Sequence, residues 1–282
     1  MPVKLVKEGD LEREVCVFSY SSYSMFKKCP SQYYRWKVKK EVKGEDDISF
    51  TIPGRIVHDA AARFYSDGSM DFFDSGHLRA ELEKCSHYKN VDLEKAYGSF
   101  DKALDLVNKS VDSLKTFILC QDPSKKYLSE KWFGVWNSPL KISETLYVQG
   151  AADLIEVNDN GTAILYDFKT SWNTRNISVD QLILYSVAAQ LKWGINVTMA
   201  SFFLLPVNRQ NFYSFTQEDK DSLIRDMQAA ADRVLSEKDR LPAVQNDKCK
   251  YCPFVDDCPA SGRSVVPVTE GMVSFNDFGA VL

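Results

Sequence analysis

The chain has 282 residues, of which 44% are hydrophobic and 26% charged, with a formal net charge of −4. That length can bury a full core, and the composition is that of an ordinary globular protein rather than a disordered or fibrous one. The longest apolar run, "SFFLLPV", is far too short for a bilayer, "MPVKLVKEGDLEREV" has no apolar signal core, and seven cysteines are an odd number for a disulfide framework.

These exclusions point to a cytoplasmic chain (host cytoplasm if viral) with reduced thiols and no membrane association. In "SYSSYSMFKKCPSQYYRWKV", serine caps followed by apolar positions at helical spacing predict a helix that includes or closely precedes Cys29. The stretch Lys27–Lys43 carries seven Lys or Arg against one Glu, interleaved with Tyr33, Tyr34 and Trp36. Basic groups attract phosphates and aromatic faces stack on unpaired bases, which makes Lys28, Tyr33, Tyr34, Arg35, Trp36 and Lys37 candidate DNA contacts. The competing reading is a solvated helix whose aromatics pack into the core.

A short helix is predicted to begin after Pro53-Gly54 and to end at Gly68. Met70–Lys89 reads as acidic and irregular. From Val91 to Cys120, apolar residues recur at Leu93, Ala96, Phe100, Leu104, Val107, Val111, Leu114 and Phe117, predicting one long amphipathic helix. At about residue 130 the texture changes to β-branched and aromatic residues broken by Asn-Ser-Pro and Asn-Asp-Asn-Gly turns, which predicts antiparallel strands joined by hairpins. A helix at 179–193 stopped by Gly194, a strand over "VTMASFFLLPV" and a last helix opening at the capping box "TQED" complete the order. The pattern is an α/β sandwich with the sheet between helices. Residues 266–282 read as an extended tail.

In "AILYDFKT", Asp167 and Lys169 are two apart on a strand and share a face. The strand is apolar on both faces, so these charges are costly unless matched by a partner or a metal. The preceding strand, "QGAADLIEV", brings Asp153 near Asp167 across the Asn158–Gly161 turn. Two carboxylates and a lysine suit Mg²⁺ or Mn²⁺ and phosphodiester chemistry, although a buried Asp–Lys ion pair would leave the same trace. Gln181 and Tyr185 are i and i+4 on the next helix and could overhang the strand end. His58 sits beside the stripe Val57, Ala61, Phe64, where a lone histidine is more often packed than a ligand. Near the end of the chain, "KCKYCPFVDDCPAS" gathers Cys249, Cys252 and Cys258, an incomplete site for a soft metal.

"GRIVH", "GAAD", "DFK", "QLILY" and the final C-x2-C-x5-C resemble, in order and spacing, the RecB-like PD-(D/E)XK nucleases. The similarity is greatest to their four-cysteine, iron–sulfur branch, which includes CRISPR-associated exonucleases and the nucleases of bacterial and phage recombination. It spans about residues 19–259, although Ala152 stands where the family name has proline. The resemblance implies His58, Asp153, Asp167 and the Phe168 carbonyl as metal ligands and Lys169 as the catalytic lysine. Gln181 and Tyr185 would stand beside them. It supplies Cys29, in "FKKCPSQYY", as the fourth cysteine; Cys29, Cys252 and Cys258 are each followed by proline. Four thiolates hold either a [4Fe–4S] cluster or Zn²⁺, and the resemblance implies the cluster, as a clasp joining the two ends of the fold. Cys16, Cys85 and Cys120 are left as core residues.

The implied architecture is a single α/β nuclease domain over residues 1–265. It comprises a helical region at 19–120, a catalytic core at 130–240 with a central mixed sheet flanked by helices, and a cluster segment at 249–259. The implied activity is metal-dependent exonucleolytic cleavage of DNA from free ends, of single strands, in recombination, repair or phage DNA metabolism. A second reading is a cluster-stabilised DNA-binding adaptor that recruits a helicase or recombination protein and has little catalysis of its own.

Overall fold

The structure is a computed structural model that describes residues 3–8, 11–41, 47–135, 137–175 and 177–260; of residues 6–8 and 11 it fixes the backbone alone. The tail expected at 266–282 lies outside the described residues. The chain opens with strands β1 (Val3–Glu8) and β2 (Leu11–Phe18), then helices α1 (Tyr20–Lys28) and α2 (Pro30–Tyr33). Next come α3 (Ile52–Asp67), α4 (Ser75–Ser86), α5 (Leu93–Tyr97) and α6 (Phe100–Leu119). Strands β3 (Lys126–Gly134), β4 (Leu140–Lys141), β5 (Leu146–Val148), β6 (Gly150–Val157) and β7 (Thr162–Lys169) follow. Helix α7 (Asp180–Trp193), strands β8 (Asn196–Leu204) and β9 (Arg209–Tyr213) and helix α8 (Gln217–Glu237) come next.

Local chemistry explains most boundaries. Ser19 opens α1 through a reciprocal capping box with Ser22, and Gly194 closes α7 in the left-handed conformation. Four expectations are corrected. Pro53 and Gly54 lie inside the first turn of α3 rather than before it, where proline's missing N–H has no helical partner to lose. The "irregular" acidic stretch contains α4, capped by the Asp74 side chain and buried along Leu78, Leu82 and Cys85. The long helix expected from Val91 is two helices, because Gly98 turns left-handed at φ +83° and Ser99 caps the next helix by accepting from Lys102 N–H. The first strands precede the helical region, where none were foreseen. Cys16 and Cys85 are core residues as expected, whereas Cys120, at the end of α6, is exposed.

The chain divides into two compact units, one of Met1–Lys43, Gly134–Gly150 and Gln217–Leu282, the other of Gly44–Phe133 and Ala151–Thr216. The first is built on a four-stranded mixed sheet of order β1-β2-β5-β4, in which β2 is antiparallel to β1 and parallel to β5. Helix α8 packs on β2 and β5, burying Leu223, Met227, Ala230, Ala231 and Val234. Phe18 is the centre of an aromatic cluster with Tyr23, Phe26 and Tyr33. Gly134 is obligatory here: a Cβ would lie 2.5 Å from the Val148 carbonyl oxygen and 2.8 Å from Leu140 N.

The second unit holds a five-stranded mixed sheet of order β3-β6-β7-β8-β9, with β7 antiparallel to β6 and parallel to β8. Alternation along β7 feeds two cores. Tyr166 and Phe168 pack with residues of α3, α4 and α6, whereas Ala163 and Leu165 pack with Leu182 and Ala189 of α7. Helices therefore cover both faces of this sheet, and the end of β7 lies between them.

Candidate active site

The β6–β7 hairpin sets the site. Its register pairs Leu154 with Tyr166 and Ile155 with Leu165, so one step further Asp153 faces Asp167. The Phe168 N–H donates to Asp153 Oδ2 at 2.7 Å, locking that carboxylate against the β7 backbone. Asp153 is 8% exposed and Asp167 2%, so neither charge is solvated. Lys169 Nζ lies 2.6 Å from Asp167 Oδ2.

Helix α7 closes the network from one face of the sheet. Lys169 Nζ donates to Gln181 Oε1 at 3.0 Å, while Gln181 Nε2 donates to Asp167 Oδ1 at 2.9 Å and contacts Tyr185 Oη at 3.1 Å. One amide thus reads both partners of the D-x-K pair, and its i+4 neighbour Tyr185 packs its ring on Phe133. From α3, on the other face, His58 places Nε2 3.2 Å from the Phe168 carbonyl oxygen. Its Nδ1 lies 3.4 Å from Asp153 and 3.5 Å from Glu130. All these partners are acceptors, so only the protonated imidazole satisfies both ring nitrogens.

The titration of the groups follows from that geometry. Burial pushes the Asp167 carboxyl up to about 6, with Asp153 adding to the shift and Lys169 and His58 opposing it. Burial also acts against the charged form of Asp153, but His58, Lys169 and the Phe168 N–H outweigh it and hold this carboxyl below its ordinary value. For His58, burial alone would lower the pKa; the Asp153 and Glu130 carboxylates overcome it and hold the imidazole well above its usual range. Two adjacent carboxyls driven in opposite directions are a mark of sites that handle protons or cations.

Sequence reasoning missed Glu130. With His58 and Asp153 it forms a group whose ligand atoms all lie within 4.8 Å of one another, whereas Asp167 turns to Lys169 and Gln181. Once His58 gives up its extra proton, one imidazole nitrogen and two carboxylate oxygens fit a divalent cation of the Mg²⁺ or Mn²⁺ class. Glu130 belongs to no short motif; it reaches the site because β3 neighbours β6, and its backbone is left-handed at φ +47° within a strand. The only signal in the sequence was an acidic residue where the strand texture begins.

In the first unit, Cys29, Cys249, Cys252 and Cys258 line one small cavity with Gln32, Val244, Asn246 and Val255. The Gln32 and Val244 N–H groups point at Cys29 Sγ, at 3.5 and 3.4 Å, and the Asn246 N–H points at Cys249 Sγ at 3.2 Å. The basic stretch is less open than expected. Tyr33 is fully buried and Tyr34 nearly so, which withdraws both rings from any role as stacking faces. Arg35 is tied to Glu41 and Asp257. Lys28 is exposed, and Trp36 and Lys37 are half-buried, with Lys37 Nζ 5.2 Å from the Trp36 ring centre. Among the described residues no helix is long and apolar enough to cross a membrane.

No curated protein matches the sequence. A solved structure described as "Crystal structure of SSO0001" is similar to 65% of this chain and 95% of its own, at 15% identity and a TM-score of 0.35, too slight a likeness to bear on fold or function. The family comparison does give a match. Matching it over residues 17–259, the chain belongs to the PD-(D/E)XK nuclease superfamily.

Proposed function

We propose that the chain is a metal-dependent DNA exonuclease of the RecB-like, four-cysteine branch, acting from free ends of single strands in recombination, repair or phage DNA metabolism. The observation that carries this reading is the closed network Asp153–Phe168–Asp167–Lys169–Gln181 at the end of β7. His58, Asp153 and Asp167, with Glu130 added and the Phe168 carbonyl beside them, would hold a Mg²⁺ or Mn²⁺ ion. Such an ion, when bound, polarises a phosphodiester and makes water a competent nucleophile at neutral pH. Lys169 then places a positive charge where negative charge develops on the phosphate, and Gln181 fixes it there, so little reorganisation is needed in the transition state. Tyr185 holds Gln181.

The four cysteines lining one cavity could hold a [4Fe–4S] cluster or Zn²⁺, and the sequence resemblance favours the cluster, clasping Cys29 to the segment of Cys249, Cys252 and Cys258. Residues 1–265 would then work as one nuclease domain in a cytosolic setting that keeps thiols reduced. Lys28, Trp36 and Lys37 would contact DNA, and a helicase or recombination protein would be the partner. The test is end-labelled linear and covalently closed single-stranded DNA with Mg²⁺ or Mn²⁺. Degradation of the linear form alone is expected. Rapid cutting of circles would make the protein an endonuclease, and DNA binding without cleavage would make it an adaptor.

A further inference from the structure

Arg35 joins two stretches of sequence that are 222 residues apart. Its Nη1 and Nη2 donate to the two oxygens of Asp257 at 3.1 and 2.7 Å, and its Nε donates to Glu41 at 2.6 Å. The same guanidinium lies 4.1 Å from the centre of the Phe254 ring. Both distal partners sit among the cysteines: Phe254 lies between Cys252 and Cys258, and Asp257 immediately precedes Cys258. Arg35 itself stands on a π-helical turn, Tyr34–Val38, shortly after Cys29. Such turns shift side chains out of α-helical register and are rare enough to signal a local requirement.

The seam continues beside it. Ser31 N–H donates to the Pro242 carbonyl at 3.1 Å, and the Asn246 side chain donates to the Lys28 carbonyl at 3.1 Å. Every one of these bonds is made by protein groups alone. An ion or cluster that had to gather four thiols from a free chain would have to close the long loop by itself, whereas a seam formed beforehand has already met that entropic cost. A lysine could not substitute, because it lacks the planar fork that meets both carboxylate oxygens while stacking on a ring.

We propose that Arg35 is a positioning residue for Cys252 and Cys258, a metal-independent latch that brings their segment onto the N-terminal helices before any inorganic group is bound. The four-cysteine reading given above supplies only the identity of what is bound; the latch stands or falls separately.

The test compares full-length metal-free protein, wild type against Arg35→Ala, by amide hydrogen exchange across residues 249–258. Protection in the wild type and exchange about tenfold faster in Arg35→Ala are expected, since a charge-assisted pair and a cation–π contact are lost together. Asp257→Asn, at an exposed position that should not disturb folding, should show a smaller increase of a few-fold. Arg35→Lys should behave more like the alanine variant than like the wild type. In metal-loaded protein, the same variants should release iron or zinc to a chelator faster, in the same order. Equal exchange in metal-free wild type and Arg35→Ala would overturn the latch, as would equal rates of metal release. A wild type that binds neither iron nor zinc would remove the four-cysteine reading, and the exchange comparison would still decide the latch.

Discussion

Asp153 accepts the backbone N–H that lies between the two charged side chains of β7, the N–H of Phe168, at 2.7 Å. A carboxylate fixed by main chain cannot rotate away when its neighbours change. The site should therefore tolerate loss of a single side chain without collapse, and its variants should report on chemistry rather than on folding.

Lys169→Ala should keep the fold and the affinity for DNA but lose at least about 10²-fold in cleavage, the scale of losing one preorganised stabilising donor. Gln181→Ala should give a smaller loss in the same direction, because it frees Lys169 from its 3.0 Å contact. Single-turnover cleavage and oligonucleotide binding separate the two effects. Wild-type cleavage by Lys169→Ala would remove the lysine from the mechanism.

Glu130 should matter to the metal rather than to the fold. Glu130→Ala and Glu130→Gly should each weaken Mn²⁺ binding by about tenfold or more, on the scale seen when groups that orient or supplement metal ligands are removed. The glycine variant should melt at the higher temperature of the two, since φ +47° suits glycine and strains alanine. Calorimetric titration with Mn²⁺ checks the first point. Unchanged affinity in both variants would exclude Glu130 from the site.

Gly134→Ala should destabilise the protein severely, by roughly 3 kcal/mol or more, on the overpacking scale. The new methyl group would meet backbone atoms, Val148 O and Leu140 N, which cannot move without breaking the strands they belong to. Denaturant titration of the variant is the measurement, and near-wild-type stability would show that the Val148 and Leu140 backbone can give way at this point.

The thiols should divide by environment. Burial pushes the Cys16 thiol up to about 12, so almost none of it is thiolate at pH 8, while Cys120 is exposed. Iodoacetamide at pH 8 should label Cys120 at once and spare Cys16 and Cys85 until denaturant is added, as peptide mapping will show. The linkage has a definite sign. The unfolded thiol ionises near its ordinary value of 9.0 while the folded one keeps its proton to about 12. The native state thus binds the extra proton, and stability falls as pH rises across that window. Cys16→Ala should flatten that part of the pH–stability curve.

Much of the site was legible because strand geometry is strict. A period of two puts Asp167 and Lys169 on one face whatever surrounds them, and an Asn-Gly turn fixes which residue of the previous strand lies opposite. Gln181 and Tyr185 followed from helical spacing on the next element. Glu130 was hidden because its position depends on which strand lies beside β6, a fact of topology with no local signature. Tyr33 and Tyr34 misled for a related reason: an aromatic residue in a basic stretch looks the same in sequence whether it faces water or, as Tyr33 does, Phe18. The helices that were misplaced turned on single residues, Gly98 ending one and Asp74 starting another.

The unit that holds Cys29, Cys249, Cys252 and Cys258 is assembled from three separated lengths of chain, Met1–Lys43, Gly134–Gly150 and Gln217–Leu282. On a ribosome its first length emerges long before its last. At translation speeds of 5–20 residues per second, Cys29 waits roughly 10–40 s for Cys249 to be made. During that interval the α1–α2 corner and the apolar face of β2 have no α8 to cover them, and a lone thiol stands open to stray metals and oxidants. The nascent protein is therefore most vulnerable around Cys29, and chaperones or cofactor-delivery factors would find their natural target there.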